Sequence, residues 1–210
     1  MKIGVLFDMD GTLWDSTKEI TESWNLVLKD YGIQVTQDTL QSLMGQTMDV
    51  FEEALMPGLD AETRKQAIAA CFEMENRYLE ENGATLYDGV QEMFESLSKK
   101  YPLFIVSNCQ SGYIEAFLKY YGFDKYITDL ECYGNTGKGK ADNEALIVKR
   151  NHLNQGIYIG DIQGDYDATK EAGLTFIHAA YGFGTIKEKV VAVNSVLEIE
   201  QAVEQVVKEM

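Results

Sequence analysis

The sequence predicts an α/β protein, a doubly wound parallel sheet carrying a small all-helical insertion. Three observations predict it. Apolar runs of strand length recur at 3–7, 103–106, 157–159 and 174–177, without the polar alternation that a solvent-facing strand would show. Amphipathic stretches at 90–100, 111–121, 143–151 and 163–172 alternate with them, the pattern of βαβ units. Between the first run and the second, residues 16–83 break the alternation and read as helix throughout.

The elements follow in order. Ile3-Gly-Val-Leu-Phe7 is a strand buried on both faces. In the insertion, Ile20, Trp24, Val27 and Leu28 share one helical face, as do Ile68, Cys71, Phe72 and Leu79. The chain enters the insertion near Asp15 and leaves it near Leu86-Tyr-Asp-Gly89. This division gives a core of residues 1–15 plus 84–210 and a helical unit of 16–83. Extra helices laid on the face of the sheet are the alternative. A last helix is expected over 196–208, with Ser195 as its N-cap.

Composition narrows the function. The chain has 210 residues, enough for one sizeable core with a small insertion, and a net charge of −16. That charge repels nucleic acid and anionic membrane surfaces, so neither is expected as a partner. An anionic substrate would need a locally positive pocket, which a bound divalent cation can provide. Cys71, Cys109 and Cys132 show no paired spacing and read as reduced thiols. The opening apolar run is too short for a signal or membrane segment, and the expected location is cytoplasmic.

Asp8-Met-Asp10-Gly11-Thr12-Leu13 directly follows the first strand. In an open α/β sheet, ligands bind beyond the carboxyl ends of the strands. Two carboxylates two residues apart, with a glycine to turn the chain, can share a hard cation. An EF-hand calcium loop fails, because Leu13 occupies its sixth position, where glycine is required. A second acidic pair, Asp161 and Asp165, follows the run at 157–159. If the strands are parallel neighbours, four carboxylates converge at one sheet edge, and a metal ion relieves their repulsion.

Two further pieces fall between these motifs. Ser107-Asn108 ends the run at 103–106 and offers a hydroxyl and an amide to a phosphate oxygen. Gly134 to Lys140 has the spacing of a P-loop, but Ala141 stands where Ser or Thr should hold the cation. A lysine at the start of the helix that follows can instead neutralise a phosphate and the nearby carboxylates.

Taken together, these pieces resemble the haloacid dehalogenase superfamily in its phosphatase branch. The resemblance runs over essentially the whole chain: DxDGT, Ser-Asn, Lys and GDxxxD occur in the family's order. It implies a Rossmann-like core with a helical cap at 16–83, and similarity to phosphoglycolate-phosphatase-like members. It further implies that Asp8 is a nucleophile forming an aspartyl-phosphate and that Asp10 is the acid–base residue. Mg²⁺ would be bound by Asp8, the main-chain carbonyl of Asp10 and Asp161, with Asp165 in support. Ser107, Asn108 and Thr12 would bind substrate, a small phosphorylated metabolite, and the chain would be a monomer or weak homodimer. Relatives often carry proline after the lysine, whereas Lys138-Gly-Lys140-Ala here leaves two candidates. Lys140, at the helix start, is the stronger, with Lys138 a second phosphate contact or a solvent-exposed side chain.

Dehalogenases of the superfamily lack an acid at the position of Asp10, so hydrolysis is expected. A sugar phosphomutase of the same fold is the nearest alternative, and a non-catalytic ligand-binding module the next. Relatives place a substrate-reading loop at the Gly45-Gln-Thr-Met48 turn, which also reads as a plain helix–helix connection. Tyr181-Gly-Phe-Gly184 is expected at the pocket's rim, and His152 and His178 are read as structural.

Overall fold

The structure, a computed structural model, describes residues 1–46 and 48–210. It opens with β1 (Ile3–Phe7) and a two-residue strand β2 (Trp14–Asp15). Helices α1 (Thr17–Leu28), α2 (Gln37–Gln41), α3 (Met48–Leu55) and α4 (Ala61–Asn82) follow. The chain then runs through β3 (Thr85–Leu86), α5 (Val90–Leu97), β4 (Leu103–Ser107), α6 (Tyr113–Tyr121) and β5 (Ile127–Cys132). It finishes with α7 (Tyr133–Thr136), α8 (Lys140–Arg150), β6 (Gln155–Gly160), α9 (Gln163–Glu171), β7 (Thr175–Ala179), β8 (Val191–Val193) and α10 (Ile199–Glu209).

The main sheet has the order β5-β4-β1-β6-β7-β8, with every pair parallel. It is the expected doubly wound α/β architecture. Side chains along β1 alternate between two cores. Val5 and Phe7 pack with Phe94, Phe117 and Val203 from α5, α6 and α10. Leu6 points to the opposite face and packs with Phe104, Tyr158 and Ile147 of α8. A strand read on both faces cannot alternate apolar with polar, which is why its sequence is an unbroken apolar run.

β1 lies between β4 and β6, so successive connections leave it in opposite directions. This strand-order switch opens a crevice beyond the strand ends. Phe7 is in register with Ile105 on one side and Ile159 on the other. The residues just past the three strands therefore emerge at one level, which fixes where Asp8, Asn108 and Asp161 lie.

Helices α1 to α4 occupy the chain between β2 and β3, which pair antiparallel through Trp14↔Leu86 and Asp15↔Thr85. Ile20 and Trp24 of α1 and Ile68, Cys71 and Leu79 of α4 are all buried in one apolar cluster. The N-cap of α4 is Asp60, whose Oδ1 accepts from the main-chain N–H groups of Glu62 and Thr63. α4 also meets α6, where the Asn76 amide donates to the Ser111 carbonyl at 2.8 Å.

Several boundaries differ from expectation. β5 and β8 are the two edge strands, absent from the sequence reading. The last helix begins with a 3₁₀ turn at Val196–Glu198, and Ser195 makes no side-chain cap bond. The Glu198 carboxylate instead accepts from the Asn194 N–H at 2.8 Å. Thr47, in the Gly45–Met48 turn, lies outside the described residues. Among the described residues, no helix is long and apolar enough to cross a membrane.

Candidate active site

Asp8 is the first residue past β1, and its N–H donates to the Ile159 carbonyl at 2.9 Å, anchoring it to β6. Its side chain is buried, and Oδ1 accepts from Nζ of Lys140 at 2.7 Å. Burial pushes the carboxyl up to about 7; the Lys140 ammonium opposes that shift and Asp165 adds to it.

Lys140 is the first residue of α8, 5% exposed, and its ammonium bridges Asp8 to Oδ1 of Asp165, the latter at 2.5 Å. Burial disfavours the charged amine, but the Asp165 and Asp8 carboxylates outweigh it and hold its pKa above the ordinary lysine range. Lys138, by contrast, is exposed, and its N–H and C=O are tied to Thr136 and Asn143. Of the two lysines, only Lys140 meets the acidic cluster.

Asp165 lies in the first turn of α9. Its Oδ2 accepts from the N–H groups of Asp161 and Ile162, at 3.0 and 3.1 Å, and so holds the β6–α9 turn. Asp161 faces the same space. Its Oδ2 accepts from the Phe183 N–H at 2.7 Å, while Oδ1 is buried without a protein partner. Burial pushes Asp161 up to about 8, with the Asp165 and Asp8 carboxylates adding to the shift. Oxygens of Asp8, Asp161 and Asp165 all lie within 4.8 Å of one another.

This arrangement fits a divalent cation. Three carboxylates face one ammonium, every donor is a hard oxygen, and one buried Asp161 oxygen has no partner, which is costly unless a cation or water meets it.

The Asp10 carboxylate turns the other way. Its Oδ1 accepts from Oγ of Ser16 at 2.5 Å and from the Tyr113 hydroxyl at 2.7 Å. Burial pushes Asp10 up to about 6, against the downward pull of those two hydrogen bonds. A carboxyl poised there passes easily between its protonated and ionised forms. The site thus holds two neighbouring aspartates with different partners, one on an ammonium and one on two hydroxyls.

A cleft opens above these groups. Asp8, Asp10, Ser107 and Asn108 line its floor, and Ile20, Trp24, Phe51, Phe72 and Glu75 line its walls from α1, α3 and α4. The Asn108 amide donates to the Gly45 carbonyl at 3.0 Å, joining the end of β4 to the helical segment. Thr12 is fully buried and lies away from the cleft lining, with its carbonyl accepting from the Tyr181 hydroxyl at 2.7 Å. The Tyr181–Gly184 segment thereby joins the first acidic motif to the last. The His178 ring sits 3.1 Å from the Asp161 carbonyl, and His152 takes a left-handed backbone (φ 53°) just after α8.

Sequence reasoning missed Ser16, Glu75, Gln110 and Tyr113. Ser16 and Tyr113 read as ordinary residues at helix starts, and only folding brings them to Asp10.

Residues 5–179 match the model of the haloacid dehalogenase-like hydrolase family. The chain belongs to that family. This haloacid dehalogenase-like hydrolase is 30% identical over 193 residues to phosphoglycolate phosphatase of Colwellia psychrerythraea, covering 85% of this chain and 84% of that one. It is 26% identical over 187 residues to a plasmid-borne phosphoglycolate phosphatase of Cupriavidus necator, covering 85% and 81% of the two chains. Among solved structures, a haloacid dehalogenase-like family hydrolase from Streptococcus pneumoniae shares the fold with a TM-score of 0.78, at 22% identity and 96% and 98% coverage. CbbY from Rhodobacter sphaeroides, solved with xylulose-1,5-bisphosphate, gives a TM-score of 0.78 at 17% identity over 94% and 96% of the chains.

Proposed function

We propose that this hydrolase cleaves a small-molecule phosphomonoester by way of an aspartyl-phosphate on Asp8, with Mg²⁺ as its cofactor. The observation that carries this reading is the division of labour between two aspartates. Asp8 is held by Lys140 beside the cation-fitting cluster, while Asp10 is held apart by Ser16 and Tyr113.

The chain's own groups supply each step. An Asp8 oxygen bonds to phosphorus as the ester P–O bond breaks, and Asp10 gives its proton to the departing oxygen. Asp10, now ionised, takes a proton from water as the water oxygen bonds to phosphorus. The Asp8–phosphorus bond breaks, releasing inorganic phosphate and restoring the carboxylate. Ser107, Asn108 and main-chain N–H groups near Met9 and Asp10 hold the phosphoryl oxygens, and Lys140 offsets charge on the nucleophile. Mg²⁺ would be held by Asp8, the Asp10 carbonyl and Asp161, with Asp165 in support, and it supplies charge neutralisation for the transferring group. Residues 16–83 act as a cap over the core of 1–15 and 84–210 and determine which leaving group fits.

Two relatives are named phosphoglycolate phosphatase, which makes phosphoglycolate the reference compound for any comparison of substrates. The test is turnover of a generic aryl phosphate with Mg²⁺ by the wild type and by Asp8→Asn. Loss of activity in the variant is expected, and unchanged turnover would end the reading.

A further inference from the structure

The walls of the cleft narrow the substrate class, provided the phosphatase reading above holds. Among the described residues that line it, the charged groups are Asp8, Asp10 and Glu75, and there is no lysine or arginine. The Lys140 ammonium is not among the lining groups and is already engaged by Asp8 and Asp165. We propose that the natural substrate is an aminoalkyl phosphomonoester, whose ammonium is received by Glu75 and the aromatic wall formed by Trp24, Phe51 and Phe72.

Glu75 is the acidic group of the cleft wall. It is only 3% exposed, in the middle of α4, where an apolar residue would pack without penalty. One carboxylate oxygen accepts from the Trp24 indole N–H, and the other accepts from the Gln110 amide at 3.0 Å. Both donors are neutral. The negative charge has no cationic partner among its hydrogen-bond contacts, yet each oxygen keeps a lone pair for one more donor. Burial pushes Glu75 up to about 7, and Asp10 adds to the shift. A cation arriving in the cleft would reverse that penalty.

The surroundings suit an ammonium. Trp24 stands 5.8 Å from Phe51 and 5.9 Å from Phe72 between ring centroids, with the planes inclined at 57° and 62°. Inclined aromatic rings beside a carboxylate are the chemistry that receives substituted ammonium groups. A leaving group that ends in a carboxylate, as in phosphoglycolate, would instead bring a second negative charge beside Glu75 with no cation to meet it. Like-charge contact in a desolvated site discriminates strongly.

The test compares kcat/KM of the Mg²⁺-loaded protein for aminoethyl phosphate, hydroxyethyl phosphate and phosphoglycolate, with an aryl phosphate as reference. Aminoethyl phosphate is expected to exceed phosphoglycolate by at least about tenfold. Glu75→Gln keeps an acceptor for the Trp24 N–H but removes the charge, and should bring that ratio towards unity. Aryl phosphate turnover with phosphoglycolate equal or preferred would overturn this inference alone. So would a ratio that Glu75→Gln leaves unchanged. Absence of aryl phosphate turnover in the wild type would overturn the phosphatase reading, and this inference with it. The wild-type comparison decides the matter even if the variant folds poorly.

Discussion

Nζ of Lys140 lies 2.7 Å from Oδ1 of Asp8, joining the start of α8 to the end of β1 across 132 residues of sequence. In the proposed mechanism the contact aims Asp8 as nucleophile, and it offsets the repulsion from Asp165 and Asp161. Lys140→Ala is therefore expected to lower kcat by about 100-fold or more. Lys138→Ala, at an exposed position, should change kcat by less than about twofold. Steady-state kinetics on the two variants distinguishes them, and the reverse order would transfer the role to Lys138.

The Ser16 and Tyr113 hydroxyls both donate to Asp10 and favour its ionised form. Removing a donor disfavours the carboxylate, so its pKa must rise further above the value of about 6 that burial already gives. In Tyr113→Phe, the limb of the kcat–pH profile that reports Asp10 should shift to higher pH. A profile that keeps its position in the variant would separate Asp10 from that limb.

Cation binding should be linked to pH through stability. Asp8 and Asp161, raised from 3.8 to about 7 and about 8, hold protons in the folded state that the unfolded chain has already released. The folded state thus binds more protons across that window, and stability without cation falls as pH rises through it. With Asp8 and Asp161 as the proposed ligands, Mg²⁺ would bind their ionised forms, so its addition should raise Tm more at about pH 8 than at about pH 5. Thermal melts with Mg²⁺ and with chelator at the two pH values measure this, and Asp161→Asn should reduce the difference. An equal Mg²⁺ effect at both would contradict the assignment of these residues as ligands.

Gly11 has a left-handed backbone (φ +84°), and a β-carbon there would run into the Asp161 carboxylate and lie 2.9 Å from the Phe183 ring. Gly11→Ala is expected to cost about tenfold or more in kcat/KM by displacing Asp161, a proposed cation ligand. Gly32 has a similar backbone (φ +69°) but nothing within 4 Å of a β-carbon. Gly32→Ala should carry the backbone strain alone, about 1 kcal/mol of stability with kcat/KM unchanged. Equal kinetic effects would mean that Gly11 matters only for its backbone.

What the sequence revealed follows from how local each feature is. The runs that became β1, β4, β6 and β7 were readable because both their faces are buried. β5 is an edge strand in which only Glu131 and Cys132 are buried, and it carries Asp129 and Glu131, which Arg150 binds. Such a strand has no apolar run to betray it. Asp8, Asp10, Asp161 and Asp165 were legible because each pair is compact and follows a strand. Tyr113 meets Asp10 across 103 residues, and Glu75 meets Trp24 across 51. Neither pairing has a local pattern, since α6 lying against the turn after β1 creates the first and α1 packing on α4 creates the second.

The most direct measurement is acid quenching of the Mg²⁺-loaded protein during turnover of an aryl phosphate, followed by mass spectrometry of its peptides. Phosphate is expected on the peptide that contains Asp8, and no such adduct or turnover in Asp8→Asn. Sustained turnover in that variant, or phosphate carried by a different residue, would contradict the account.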